Sequence, residues 1–227
     1  MNAFGRIALT TKALFREILG SRTPHGIRPC PQLNKAGPLP VDIIVIDASL
    51  SMDFTDYSPS RLNGAKQAAT RFLHKRFEVS PDALVGIATF CSDARLVSHP
   101  IPIREYLVHL QESLQRLSTG SSTNISAGLS VAQTEILKAR GTGTKRILLL
   151  TDGDSNIGPS PVSTATEIKA AGTQLDIIGI GGSPSEVNEK DLKAMASVVN
   201  GELRYWFIES VGELVRKFEA LALREIK

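Results

Sequence analysis

Cysteine and aromatic residues are scarce in this chain. Its 227 residues include only 2 cysteines, and phenylalanine, tyrosine and tryptophan together make up 5%. Cys30 and Cys91 lie far apart, and Cys91 follows the strand-like stretch ALVGIATF, so neither a disulfide framework nor a cysteine-based metal site is expected. This cysteine usage favours a reducing compartment, and we expect a cytoplasmic location.

The sequence also lacks a long hydrophobic run. No segment has the roughly 18 consecutive apolar residues that a membrane-spanning helix needs, so a soluble protein is expected. Hydrophobic residues make up 42% and charged residues 22%, which is usual for a globular protein that buries a core without disulfides. The length fits one large α/β domain.

A net positive charge is found only in the first part of the chain. Residues 1–41 carry six basic residues and one acid, Glu17, so the remaining residues carry −2 of the overall net charge of +3. The main part of the chain therefore has no basic surface with interleaved aromatic residues. We expect no nucleic-acid ligand.

The first 40 residues form a region of their own. Apolar residues of the stretch MNAFGRIALTTKALFREILG recur at helical spacing, and residues 21–40 contain five prolines and two glycines. The prediction is an amphipathic helix and a proline-rich linker over 1–40, followed by one domain over 41–227. The helix could dock on the domain or on a partner, which is the usual role of an apolar helix face. Contact of residues 3–19 with a membrane surface, or organelle targeting, are the alternatives.

From residue 41 onward, short β-branched runs alternate with longer amphipathic runs, as in a parallel sheet covered by helices. The predicted strands are 41–47, 83–90, 94–98, 145–151, 174–180 and 203–208, and the predicted helices are 61–77, 103–117, 124–139, 163–171, 189–198 and 211–226. The strand at 94–98 must turn back antiparallel, because a parallel crossover needs about a dozen residues. The predicted fold is a doubly wound, mostly parallel six-stranded α/β sheet with helices on both faces and one short antiparallel edge strand.

Oxygen-bearing side chains follow two of these strands. Asp47, Ser49 and Ser51 stand at alternate positions at the end of the first strand, and Asp152 follows the strand at 145–151. If the first strand is central and the 145–151 strand lies beside it, the two ends flank the crevice where open parallel sheets bind ligands. Thr123, in the polar loop GSSTNISAG, could bring a third hydroxyl there. Five oxygen ligands are expected to converge.

Two carboxylates and three hydroxyls favour a hard cation over zinc or copper. Mg²⁺ is the first expectation, with Mn²⁺ or Ca²⁺ as alternatives. The carboxylates balance the divalent charge while the neutral hydroxyls leave the ion electrophilic, so an Asp or Glu of a protein partner can complete the coordination. The nearby Asp53, Asp56 and Asp154 fit turns or supporting positions better than ligand positions.

The motifs DASLS, SSTNI and LLLTDG together resemble the metal-ion-dependent adhesion site (MIDAS) of von Willebrand factor type A (VWA) domains, and the resemblance covers residues 41 to 226. It implies a Rossmann-like fold and a metal-dependent protein-binding role for the five residues named above. It also implies an accessory protein that works with AAA-type ATPases, metal-cofactor insertion or stress-response systems.

Leu50 departs from the family pattern, since the family commonly has glycine between the two serines. It affects loop shape and partner identity more than ion binding.

Two other functions stay open. One is a magnesium-dependent hydrolase or phosphatase on a similar sheet. An aspartyl phosphatase would need a second acid two residues after Asp47, where this chain has Ser49, and hydrolytic metal sites need a positioned base or a second metal. A binding protein without enzymatic activity is therefore expected. The other is a membrane-attached scaffold that presents the metal site through residues 3–19.

Overall fold

The structure, a computed structural model, describes residues 38–141 and 143–224. The predicted N-terminal helix and the linker before residue 38 lie outside this range, so their prediction is not tested. The strands are β1 (Val41–Asp47), β2 (Leu84–Phe90), β3 (Ala94–Pro102), β4 (Lys145–Thr151), β5 (Gln174–Ile180), β6 (Val198–Val199), β7 (Glu202–Leu203) and β8 (Tyr205–Ile208). The helices are α1 (Arg61–Val79), α2 (Ile103–Gln115), α3 (Ile125–Lys138), α4 (Pro161–Ala170), α5 (Glu189–Met195) and α6 (Val211–Leu223). Short 3₁₀ helices span Leu50–Asp53 and Pro184–Glu186.

Six of the strands form one sheet in the order β3-β2-β1-β4-β5-β8. β1 pairs in parallel with both β2 and β4, and β5 pairs in parallel with β4 and β8. Only the pairing of β2 with β3 is antiparallel within this sheet. The doubly wound, mostly parallel six-stranded fold is confirmed, including the central position of β1 with β4 beside it.

The alternation of side chains along each strand divides the core in two. Ile44 and Ile46 of β1 pack with α1, α2 and α6 on one face, while Ile43 and Val45 pack with α3, α4 and α5 on the other. This follows from the two-residue period of a strand, which sends neighbouring side chains to opposite faces. Because α1 and α3 lie on opposite faces, the winding reverses between β1 and β4. The carboxyl ends of these two strands therefore border the crevice that the sequence predicts as the ligand site.

Polar side chains fix where several helices begin. The side chains of Ser60, Asn124 and Ser210 accept hydrogen bonds from backbone N–H groups three residues later, at the starts of α1, α3 and α6. Such caps satisfy N–H groups that the first turn of a helix leaves unpaired. Two of them matter for the site, because α1 follows the loop after β1 and α3 follows the loop with Thr123.

Three predicted boundaries were wrong. The strand predicted over 203–208 begins at Tyr205, and Leu203 belongs to β7. The antiparallel edge strand is nine residues long instead of five, with register irregularities where its partner passes from Val85 to Ala88. The helix predicted to reach residue 198 ends at Met195, because Val198 pairs with Leu203 in the small β6-β7 hairpin. None of the described helices is long and apolar enough to cross a lipid bilayer.

A buried group of five charged residues lies near the amino ends of β1, β4 and β5. Their side chains are at most 4% exposed: Asp42, Arg76, Arg146, Asp176 and Arg204. Arg146 Nε donates to Asp42 Oδ1 over 2.7 Å, and Arg204 forms two hydrogen bonds with Asp176. Three arginines face two aspartates, so this buried charge group carries one excess positive charge.

Candidate metal centre

Asp47 is the last residue of β1 and is fully buried. Its Oδ1 accepts a hydrogen bond from the backbone N–H of Ser49 over 2.8 Å, and its Oδ2 accepts one from the hydroxyl of Thr151 over 2.6 Å. Thr151 is the last residue of β4. The carboxylate of Asp47 therefore bridges the ends of the two central strands at the crevice.

A path of hydrogen bonds connects Asp47 to the second predicted carboxylate. The hydroxyls of Ser49 and Ser51 lie 3.1 Å apart, and the Ser51 hydroxyl donates to Asp152 Oδ1 over 2.9 Å. The 3₁₀ helix Leu50–Asp53 turns the chain directly after Ser49, which keeps both hydroxyls in the crevice. Four of the five predicted ligands are thus brought together.

The fifth predicted ligand, Thr123, reaches the site through the backbone of its loop. The N–H of Gly120 donates to the carbonyl oxygen of Ala48 over 2.6 Å, and the N–H of Leu50 donates to that of Ser121 over 3.2 Å. On the other side, the N–H of Thr123 donates to Asn156 Oδ1 over 2.9 Å. The loop lies between the segments that carry Ser49 and Asp152, and Thr123 is buried there. Within the described ranges, its hydroxyl makes no direct hydrogen bond to the other four residues.

The two carboxylates destabilise each other when both are charged. Burial, and then the charge of Asp152, raise the pKa of Asp47 to about 7. Burial also raises the pKa of Asp152, opposed by hydrogen bonds from Ser51 and Arg61. A divalent cation between them would remove this repulsion and favour the ionised forms.

In residues 38–141 and 143–224, no three His, Cys, Asp or Glu side chains form a metal-binding group, so an ion here needs the hydroxyls as ligands.

Arg61, the first residue of α1, is a site residue that sequence reasoning missed. Its Nη1 donates to Asp152 Oδ2 over 3.1 Å, its Nε contacts both oxygens of Asp56, and its Nη2 donates to Glu186 Oε2 over 2.6 Å. The guanidinium lies 5.1 Å from the ring centroid of Phe54. Arg61 thereby fixes Asp152 with Oδ2 toward the arginine and Oδ1 toward Ser51. One sequence signal was available: Arg61 is the single basic residue between Asp47 and Lys66.

Comparison with known proteins relates the chain to one family. Residues 43–155 match the family model for the von Willebrand factor type A domain. A UPF0353 protein of Mycolicibacterium paratuberculosis is 25% identical over 202 residues, which are 80% of this chain and 59% of that protein. The chain therefore spans less than two thirds of this relative.

Solved structures show the same fold. A von Willebrand factor type A protein from Catenulispora acidiphila gives a TM-score of 0.69 at 21% identity, over 82% of this chain and 42% of that one. Proximal thread matrix protein 1 from the mussel byssus, solved with a zinc-occupied MIDAS motif, gives a TM-score of 0.65 at 20% identity, over 81% of this chain and 47% of that one. The structural matches establish the fold and the family model establishes the family, so the chain belongs to the von Willebrand factor type A domain family.

Proposed function

We propose that this chain is a protein-interaction module that depends on a divalent cation bound at a MIDAS. Asp47, Ser49, Ser51, Thr123 and Asp152 would hold the ion, and an Asp or Glu of a protein partner would complete its coordination. The bound ion supplies an electrophilic centre for that carboxylate. The observation that carries the proposal is the hydrogen-bonded path from Asp47 through Ser49 and Ser51 to Asp152.

Mg²⁺ is the proposed ion because every side chain in this set offers oxygen, and Mn²⁺ and Ca²⁺ share this preference. The zinc in the mussel protein shows that a MIDAS of that protein accepts zinc, so zinc belongs among the ions to be compared. A cytoplasmic location and an accessory role beside an AAA-type ATPase or a stress-response system complete the proposal. Both rest on composition and resemblance alone.

The chemistry of the neighbouring groups favours binding over catalysis. Arg61 is engaged by three carboxylates, which leaves it unsuited to proton transfer. His99 is paired with Glu135 over 2.6 Å. Cys91 Sγ contacts the carbonyl oxygen of Asp93 over 3.7 Å. A hydrolase needs a nucleophile or general base in contact with the reacting atoms, and no described histidine or lysine hydrogen-bonds to Asp47 or Asp152.

Replacing Asp47 by Asn tests the metal site. We expect Asp47→Asn to weaken Mg²⁺ binding by at least about 100-fold, because one of the two carboxylates that balance the ion is lost. The metal-free variant should melt at the same temperature as the wild type or higher, since the repulsion between Asp47 and Asp152 is removed. Isothermal titration calorimetry and thermal unfolding in chelator measure the two effects.

Asp154→Asn is the matched control, because Asp154 is an exposed carboxylate two residues after Asp152. It should keep the wild-type Mg²⁺ affinity within about twofold, as expected for a screened surface charge. Equal Mg²⁺ binding by Asp47→Asn and the wild type would refute the proposed site. Mg²⁺-dependent hydrolysis of phosphoesters, nucleotides or peptides that disappears in Asp47→Asn would instead favour the hydrolase.

A further inference from the structure

We propose that the surface around the metal centre binds a basic segment of a partner protein, with one Asp or Glu for the metal and a bulky apolar side chain beside it. The inference rests on the proposed function, because the metal anchors the acid. We call this surface the metal face. It consists of the loops 48–60, 91–93, 118–124, 152–160 and 181–188, which lie at the carboxyl edge of the sheet.

The loops of the metal face carry charged side chains of only one sign. Its loops contain no lysine, arginine or histidine, and they contain six acids: Asp53, Asp56, Asp93, Asp152, Asp154 and Glu186. All of these acids except Asp152 are exposed. With Asp47 there are seven carboxylates, and a divalent ion together with Arg61 offsets three of them. The metal face therefore stays negative with the ion bound, which attracts a basic partner and repels a generally acidic one.

Two exposed apolar side chains stand beside the predicted ligands. Leu50, between Ser49 and Ser51, is 64% exposed, and Phe54 is 58% exposed. The backbone at both positions is held in place, because the N–H of Leu50 donates to the carbonyl oxygen of Ser121 and the N–H of Phe54 donates to the carbonyl oxygen of Ser51 over 3.0 Å. An apolar side chain exposed to water next to an ion site gains free energy when a partner covers it. Leu50 thus favours a partner with an apolar residue close to its acid.

A cleft beside Phe54 fits a lysine or arginine side chain. Its volume is about 610 Å³, and it is lined by Asp53, Phe54, Thr55, Asp56, Arg61 and Glu186. The stem of a partner's lysine or arginine can pack on the Phe54 ring while its charged end meets the carboxylates of Asp53 and Glu186. The partner segment would then have three contacts: its acid at the metal, its apolar residue on Leu50 and its basic residue in this cleft.

A peptide selection on the full chain tests this specificity. The probe is a library of short peptides with a fixed central Asp and randomised flanking positions, selected in Mg²⁺ and in chelator. We expect Mg²⁺-dependent peptides to be enriched in Lys or Arg and in one bulky apolar residue, and depleted in further acids. Their binding should weaken as the salt concentration rises, because the charges of the metal face are exposed.

Single variants then locate the contacts for one selected peptide. Leu50→Ser and Phe54→Ser should each weaken peptide binding about tenfold or more, and Asp53→Asn about threefold, while Mg²⁺ affinity by calorimetry stays unchanged. Val108→Ser is the matched control, because Val108 is 67% exposed on α2, and it should have no effect.

The outcomes separate this inference from the proposed function. Mg²⁺-dependent peptides without basic or apolar enrichment, or with additional acids, would overturn the inference and leave the metal-dependent module intact. Basic peptides that bind equally well in chelator would instead contradict the proposed function. Failure to retain any peptide from a protein that binds Mg²⁺ would also overturn the inference.

Discussion

The metal-free protein should become less stable between about pH 4 and pH 7. The pKa of Asp47 is raised from 3.8 to about 7 in the folded state by burial and by Asp152. The folded protein therefore holds this proton more tightly than the unfolded chain does. The resulting stabilisation is fully present below pH 4 and is lost as the pH rises through 7. The pKa difference corresponds to about 4 kcal/mol, and the raised pKa of Asp152 acts in the same direction.

Mg²⁺ should reduce this loss of stability. Bound metal requires both carboxylates in their ionised form, so its affinity rises with pH as it displaces the proton. At a Mg²⁺ concentration 100 times the Kd, binding adds about 2.7 kcal/mol to the free energy of unfolding. The protein in Mg²⁺ should then lose much less stability than the protein in chelator on going from pH 5 to pH 8.

Urea unfolding of the wild type and of Asp47→Asn at pH 5 and pH 8 measures the effect. Subtracting the variant removes the contributions of groups whose pKa is lowered on folding, such as Asp56 with Arg61 and Glu135 with Lys138. The variant should show a much weaker loss of stability between these two pH values. Parallel pH dependences of the two proteins in chelator would contradict this prediction, because they would show that folding does not raise the pKa of Asp47.

Local sequence patterns were enough to single out the candidate ligand residues that lie next to each other in the chain. Asp47, Ser49 and Ser51 follow one β-branched run, and Asp152 follows another, so the end of each strand is visible in the sequence. Arg61 was missed because its role depends on how α1 meets the ends of β4 and β5. The contact from Arg61 to Glu186 spans 125 residues, and no local pattern reports such a distance.

The wrong boundaries have local physical reasons. The β6-β7 hairpin turns at Asn200 and Gly201, both with positive φ, and Asn-Gly is a strong hairpin signal that was overlooked in favour of a helix. The edge strand β3 continues through Pro100, because Pro100 lies where the register with β2 shifts between Val85 and Ile87, and a strand tolerates a residue without an N–H at such an irregularity. Predictions based on apolar periodicity missed both features.

The buried charge group gives the last prediction, which compares two substitutions within it. We expect Asp42→Asn to lower the free energy of unfolding by about 3–5 kcal/mol, as is typical when one partner of a buried ion pair is removed. Asp42 contacts two arginines: Arg146 Nε lies 2.7 Å from Oδ1, and Arg76 Nε lies 2.8 Å from Oδ2. Without this carboxylate, three buried arginines share Asp176 alone.

Arg146→Met should cost less than half as much, although Arg146 is completely buried. Its removal leaves Asp42 with Arg76 and Asp176 with Arg204, so two acids face two bases. It also removes Arg146 Nη2, a buried group without a hydrogen-bond partner, and methionine can occupy part of the space beside Phe72. The losses are the hydrogen bonds that Arg146 donates to Asp42 Oδ1 and to the carbonyl oxygen of Leu221, and some packing.

Urea unfolding of both variants at neutral pH in chelator decides between charge balance and packing as the origin of this group's contribution. If charge balance dominates, Asp42→Asn, which hardly changes side-chain volume, is the more damaging substitution. If packing dominates, Arg146→Met is the more damaging one, because it removes the larger volume. Mg²⁺ affinity should be unchanged in both variants, since the buried charge group lies at the amino ends of the strands and the metal centre lies at their carboxyl ends. The double variant should then be less destabilised than Asp42→Asn alone, because removing Arg146 relieves the excess positive charge that the loss of Asp42 creates.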